Sequence, residues 1–137
     1  METDALTWRF DSFLVLPDSL QMQKDFLYVL ASLHAKSTQP AAVEVVDVAK
    51  ANGVLPMDVS GFQEYPGRGM GGLVTLPDEK HPRAVLLGSV DFLAQCRLQT
   101  PAVLQAIIRT WQSEATTLVS LAGWDGWVRG ALKFKPR

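Results

Sequence analysis

Cysteine is nearly absent from this 137-residue sequence: Cys96 stands alone, so no internal disulfide can form and a reducing setting is the default. Histidine is almost as scarce, and neither His34 nor His81 has Cys, Asp or Glu at the spacing of a metal site. An excess of either charge is missing too. With 13 Lys+Arg against 14 Asp+Glu there is no general pull toward nucleic acid or anionic lipid, so neither is expected as a partner. Long apolar runs are lacking, since stretches such as Ala84-Val85-Leu86-Leu87 fall far short of the roughly 20 residues a membrane-spanning helix needs. Direct membrane contact is not expected. Glu2 and Asp4 stand where the basic region and apolar core of a leader would be, which predicts a cytoplasmic location. No Gly-x-Ser-x-Gly elbow, His-Glu-x-x-His run or glycosidase-like pair of carboxylates is found, so no catalytic residue and no metal ligand is assigned.

What the sequence does have is a 47% apolar composition patterned for one domain, large enough to bury about two-thirds of its unfolded surface. Leu6 to Leu16 reads as a strand with a bulge near Asp11-Ser12, stopping at Pro17-Asp18. Ser19 is an N-cap for a helix in which Leu20, Phe26, Leu27, Leu30, Ala31 and Leu33 recur at helical spacing to His34. The polar break Lys36-Ser37-Thr38-Gln39 follows, and Pro40 opens a second helix that Asn52-Gly53 ends, giving an αα-hairpin. The period then changes from 3.6 to 2. Val59 to Tyr65, Gly72 to Leu76 and Ala84 to Leu87 read as three strands, with turns at Pro66-Gly67-Arg68-Gly69 and between Pro77 and Pro82. A short helix starts at Ser89 or Asp91, and another is capped by Thr100 with Pro101 as its first residue and runs to about Gln112. Thr116 to Ala122 and Trp127 to Lys133 close the chain as a hairpin over Asp125-Gly126. The predicted class is α+β: an antiparallel sheet of about six strands flanked by a helical hairpin and further helices.

Taken singly, the local features admit two readings each. The cluster Gly67-Arg68-Gly69-Met70-Gly71-Gly72 can let a backbone approach a ligand, or can be a wide turn between strands. It is neither a dinucleotide fingerprint, because a strand follows it, nor a phosphate loop, because the Gly-Lys-Ser/Thr ending is missing. Arg68 is the cation beside that turn, a candidate anion contact or a solvated turn residue. His34 is read as serving the C-terminus of its helix, His81 as solvated, and Cys96 as a small core residue rather than a nucleophile. Trp124 and Trp127 flank a tight turn and are expected to stack across it.

In order and spacing, these pieces resemble the nucleotide-binding domain of the heavy-metal-transporting, copper-type P-type ATPases, over nearly the whole chain. That family has a strand leaving the motif Asp-Lys-Thr-Gly-Thr-Leu-Thr, Ser-Glu-His-Pro at a helical bend, a Gly-x-Gly turn, a strand ending in Gly-Asn, then helices and a final hairpin. Here Ser37-Thr38-Gln39-Pro40 stands at the bend, downstream of Thr3-Asp4-Ala5-Leu6-Thr7, and Pro66-Gly67-Arg68-Gly69-Met70 at the turn. Leu86-Leu87-Gly88-Ser89 followed by Phe92-Leu93 matches the next strand and helix, and Val119 to Leu132 the hairpin. The departures are specific. Met1 stands where the family has its phosphorylated aspartate, so residues 1–7 resemble only a remnant of the hinge to the phosphorylation domain and the chain alone is expected to be inactive as an enzyme. Thr38 and Gln39 stand where the family's Glu accepts from the adenine amine and its His meets the base, and Ser89 where it has Asn.

The resemblance implies a pocket holding adenine between the helical hairpin and the glycine turn. Its residues would be Thr38, Gln39, Gly67, Arg68, Gly69, Met70, Gly88 and Ser89, with Gly67 and Gly69 admitting the base to the backbone and Met70 adding apolar surface. The implied cofactor is ATP, bound weakly, with Mg²⁺ carried by its phosphates and no protein ligand to the metal. Implied partners are the adenine nucleotide and, in a parent pump, the phosphorylation and actuator domains, so that the domain contributes proximity rather than a nucleophile. The alternative is a degenerate copy of the same fold that no longer binds nucleotide and serves as an interaction or regulatory module.

Overall fold

A computed structural model describes residues 8–38 and 41–137. Six strands form a single antiparallel sheet in the order β1-β6-β5-β4-β3-β2. They are β1 (Trp8–Val15), β2 (Val59–Tyr65), β3 (Gly69–Val74), β4 (Arg83–Gly88), β5 (Leu118–Trp124) and β6 (Trp127–Pro136). The predicted bulge is present, as a register shift between Phe10 and Ser12. The N–H of Phe10, at that irregularity, donates to Glu44 Oε1 at 2.8 Å and ties the second helix to the edge strand. Asp125 and Gly126 both have positive φ, 55° and 82°, the backbone that a two-residue hairpin loop with the native twist demands.

Four helices cover the two faces: α1 (Leu20–His34), α2 (Ala41–Ala51), α3 (Val90–Gln95) and α4 (Ala102–Ser113). Ser19 caps α1, its hydroxyl accepting from the N–H of Met22 at 3.1 Å. Because side chains alternate across a pleated strand, the sheet feeds two cores. Phe26, Leu30 and Leu33 of α1 and Val45 of α2 pack with Met70, Val74, Val85, Leu87, Trp124 and Leu132 on one face. On the other face Phe92 and Leu93 of α3 and Leu104 and Ile108 of α4 pack with Val119, Leu121, Val128 and Ala131. A third, smaller cluster of Leu27, Ala31, Ala49 and Val54 joins the two helices of the hairpin. No helix among the described residues is long and apolar enough to cross a membrane.

Several local expectations need correction. The third strand begins at Gly69, not Gly72, so Gly69 and Gly71 also lie inside the sheet, paired with Gly88 and Leu86 of β4. The fourth helix is capped by Pro101 and begins at Ala102, with no side-chain cap from Thr100. Cys96 is exposed, because it terminates α3 and the core face of that short helix is already taken by Phe92 and Leu93. Trp124 and Trp127 oppose each other in register, yet Trp124 is buried with its ring 6.5 Å from Phe26 and Arg129 above it, while Trp127 stays exposed.

Candidate functional site

The bend between α1 and α2 is held against the outer strand of the sheet by one carboxylate. Glu64 lies on β2 directly opposite Met70 of β3, and side chains directly opposite each other share a face. Met70 is buried in the core beneath the helical hairpin, so Glu64 reaches toward the hairpin's bend. There the Ser37 hydroxyl donates to Glu64 Oε2 at 2.8 Å and the Thr38 hydroxyl to Oε1 at 3.4 Å. Ser37 is half-buried and Thr38 exposed. Gln39, the other predicted residue of the bend, lies outside the described residues, as does the predicted hinge remnant 1–7.

His34, in the last turn of α1, is 8% exposed. Its Nδ1 stands 2.7 Å from the carbonyl oxygen of Leu30. A carbonyl only accepts, so Nδ1 carries the proton and Nε2 is left as an acceptor. Burial pushes the pKa down from 6.5 to about 4, against the opposing pull of the Leu30 carbonyl and of Glu64. The side chain is thus a buried neutral ring bonded one turn back along its helix, and not the cation at the helix end that was expected.

The glycine turn makes a second constellation on the same pair of strands. Gly67 has φ +75° and open space around it, and the N–H of Arg68 donates to the Tyr65 carbonyl at 2.9 Å, closing the turn. Gly69 pairs with Gly88, and the N–H of Ser89 donates to the Arg68 carbonyl at 2.9 Å, so four predicted residues are neighbours. A side chain on Gly69 would run into the Leu87 carbonyl and come within 2.6 Å of Phe92; one on Gly88 would come within 2.7 Å of the same ring. The ring of Phe92 therefore fills the space both glycines leave. The Ser89 hydroxyl accepts from the N–H of Phe92 at 3.1 Å and caps α3. The Arg68 guanidinium lies 5.4 Å from the centre of the Phe92 ring and bonds Gln95.

Thus Thr38 is brought to β2, and Gly67, Arg68, Gly69, Gly88 and Ser89 are brought together at its end, with Met70 in the core between. Sequence reasoning placed Ser37 at the bend but not in the pocket, and it missed Glu64 and His34 as members of this region. Among the described residues no group of three or more His, Cys, Asp and Glu stands as a metal site. A shallow cavity of about 320 Å³ elsewhere, bordered by Ala84, Leu86, Cys96, Leu98, Trp124 and Asp125, includes none of the predicted residues.

No protein-family model matches the sequence. The cadmium/zinc-transporting ATPase HMA3 of Oryza sativa subsp. japonica is 31% identical over 87 residues, 62% of this chain; the chain spans only 8% of the length of that relative. Among solved structures, the N-domain of HMA6, a copper-transporting P-type ATPase, superposes with a TM-score of 0.68 at 17% identity, covering 94% of this chain and 99% of that one. The N-domain of HMA8, also a copper-transporting P-type ATPase, gives 0.67 at 18% identity, with 90% and 97% covered. A zinc-transporting PIB-type ATPase in the E2P state gives 0.69 at 17% identity, covering 96% of this chain and 20% of that one. The chain has the fold of the N-domains of heavy-metal P-type ATPases, as the spacing of its motifs implied.

Proposed function

We propose that this chain is the nucleotide-binding domain of a heavy-metal-transporting P-type ATPase and that it holds ATP by its adenine, between the α1–α2 bend and the turn from β2 to β3. The observation that carries the reading is the closure of bend onto strand, Ser37 and Thr38 donating to Glu64 one strand away from Met70. A purine presents donors and acceptors along one edge and an apolar face. The bend offers a carboxylate and the exposed hydroxyl of Thr38, and the turn offers exposed backbone at Gly67. Arg68 is the cation nearest the turn, although its guanidinium is engaged with Phe92 and Gln95. The phosphates project outward with Mg²⁺ on them, toward the phosphorylation and actuator domains of the parent pump on the cytoplasmic side. Binding is weak and the chain supplies no nucleophile, so its contribution is to position ATP for a neighbouring domain.

Titration of the 137-residue chain with ATP, AMP and GTP, followed through backbone amide resonances, tests this. ATP and AMP should both give saturable shifts clustered at Thr38, Gln39, Gly67, Gly69, Gly88 and Ser89. The absence of a saturable response to any nucleotide at millimolar concentration would overturn the proposal. It would leave the second reading, an interaction module on the same scaffold, which draws support from the internal engagement of Ser89 as a helix cap and of Arg68 on Phe92.

A further inference from the structure

We infer that Glu64 is the residue that selects a 6-amino purine over a 6-oxo purine. The inference rests on the reading of the bend and turn as an adenine cradle, and deepens it. Glu64 is half-buried at the mouth of the bend, and its two oxygens each receive one hydroxyl. A carboxylate has about four lone-pair sites, so acceptor capacity remains on both oxygens after Ser37 and Thr38 are served. The Ser37 bond, at 2.8 Å between half-buried groups, is well made, whereas the exposed Thr38 hydroxyl at 3.4 Å is loosely held and free to turn outward as a donor. The mouth thus presents a fixed acceptor beside an available donor. Adenine needs that order along its edge: an acceptor for the 6-amino group and a donor for ring N1. Inosine and guanine carry the reverse, an oxygen at position 6 and N1–H, and would set a carbonyl oxygen against a carboxylate. Two other groups in the region bear on the site. His34, neutral by burial, only adds an acceptor, and Arg68, held on Phe92 and Gln95, supplies no donor at the bend.

The test is a comparison of dissociation constants for ATP, GTP and inosine triphosphate on the whole chain and on Glu64→Gln and Glu64→Ala, read from the amide titration. Glutamine keeps the length and the oxygen that anchors Ser37, so a merely structural role survives in that variant, while its amide adds a donor. The parent should prefer ATP over inosine triphosphate by about tenfold, the worth of one hydrogen bond to a charged group. In Glu64→Gln that preference should fall to near one, through weaker ATP and undiminished inosine triphosphate binding. In Glu64→Ala it should fall through weaker ATP alone. If the parent prefers ATP and both variants keep the ratio, the assignment to Glu64 is overturned while the cradle stands. A parent that prefers GTP overturns it too, because the carboxylate would then be reading N1–H and the 2-amino group. If the parent binds none of the three, the cradle itself falls, and Glu64 with it.

Discussion

Acidification should unfold this domain through one residue more than through any other, because His34 is stored as a neutral ring in the floor of the helical bend. In the native chain its pKa is pushed down to about 4 by burial, and in the unfolded chain it returns to 6.5. Between those values the unfolded state takes up a proton that the native state refuses, so stability declines as pH falls through that window and is fully present above it. The gap corresponds to about 3 kcal/mol in all, of which about 2 kcal/mol is lost by pH 5. That is a sizeable share of the roughly 5–15 kcal/mol by which domains of this kind are stable. Urea unfolding followed by tryptophan fluorescence at pH 7.5 and pH 5, on the parent and on His34→Gln, measures it. Groups distant from the ring contribute equally in both proteins, so they drop out of the difference. The parent should lose about 2 kcal/mol more than the variant between the two pH values. Equal losses would show that the ring is not held neutral, and the placement of His34 under the bend would have to be abandoned.

The glycines make a further set of expectations. Gly69→Ala forces a side chain against the Leu87 carbonyl and the Phe92 ring, and should destabilise by about 1–3 kcal/mol in urea unfolding. Gly67→Ala meets open space and only the strain of a positive φ, so about 1 kcal/mol is expected. A smaller cost at Gly69 than at Gly67 would contradict the packing described. Phe92→Ala should cost about 3–5 kcal/mol, and combining it with Gly69→Ala should cost less than the sum of the two, since Phe92→Ala removes the ring that a side chain at position 69 collides with.

Where the chain announces an element through side chains, the sequence was enough to find it. Ser19 before a 3.6-residue apolar repeat and Asp125-Gly126 between alternating runs located α1 and the last hairpin, and the cap and the positive φ angles are both present. Gly69 to Gly72 defeated that approach for a physical reason. The period of a strand is written in which side chains are apolar, and three of those four residues have none, so a strand in register with β4 resembled a loop. Glu64 was hidden differently. A carboxylate in an alternating strand reads as solvent-facing, and only the pairing with Met70 and the return of the bend 26 and 27 residues away in sequence give it partners. The spacing of whole motifs carried the fold, because the order of a bend, a turn and a Gly-Ser strand end constrains topology even where no single residue does.

The same geometry separates what the fold requires from what a ligand would require. Gly69 and Gly88 have no room for a side chain because the carbonyl oxygens of Leu87 and Arg68, and then the ring of Phe92, lie against them, and Ser89 is needed to cap the helix that carries Phe92. These residues would persist in a chain that had lost every nucleotide, so their presence cannot distinguish a binding domain from an interaction module on the same scaffold. Gly67 is weaker support still, since a left-handed turn residue is needed there by the chain reversal alone. The bend is another matter. Packing does not demand a carboxylate on an edge strand facing two hydroxyls, nor a histidine whose burial costs stability in acid, when apolar or neutral residues would close the same gap. The choice between the two functions therefore turns on His34, Ser37, Thr38 and Glu64, and substitutions there, rather than at the glycines, can remove recognition while leaving the fold in place.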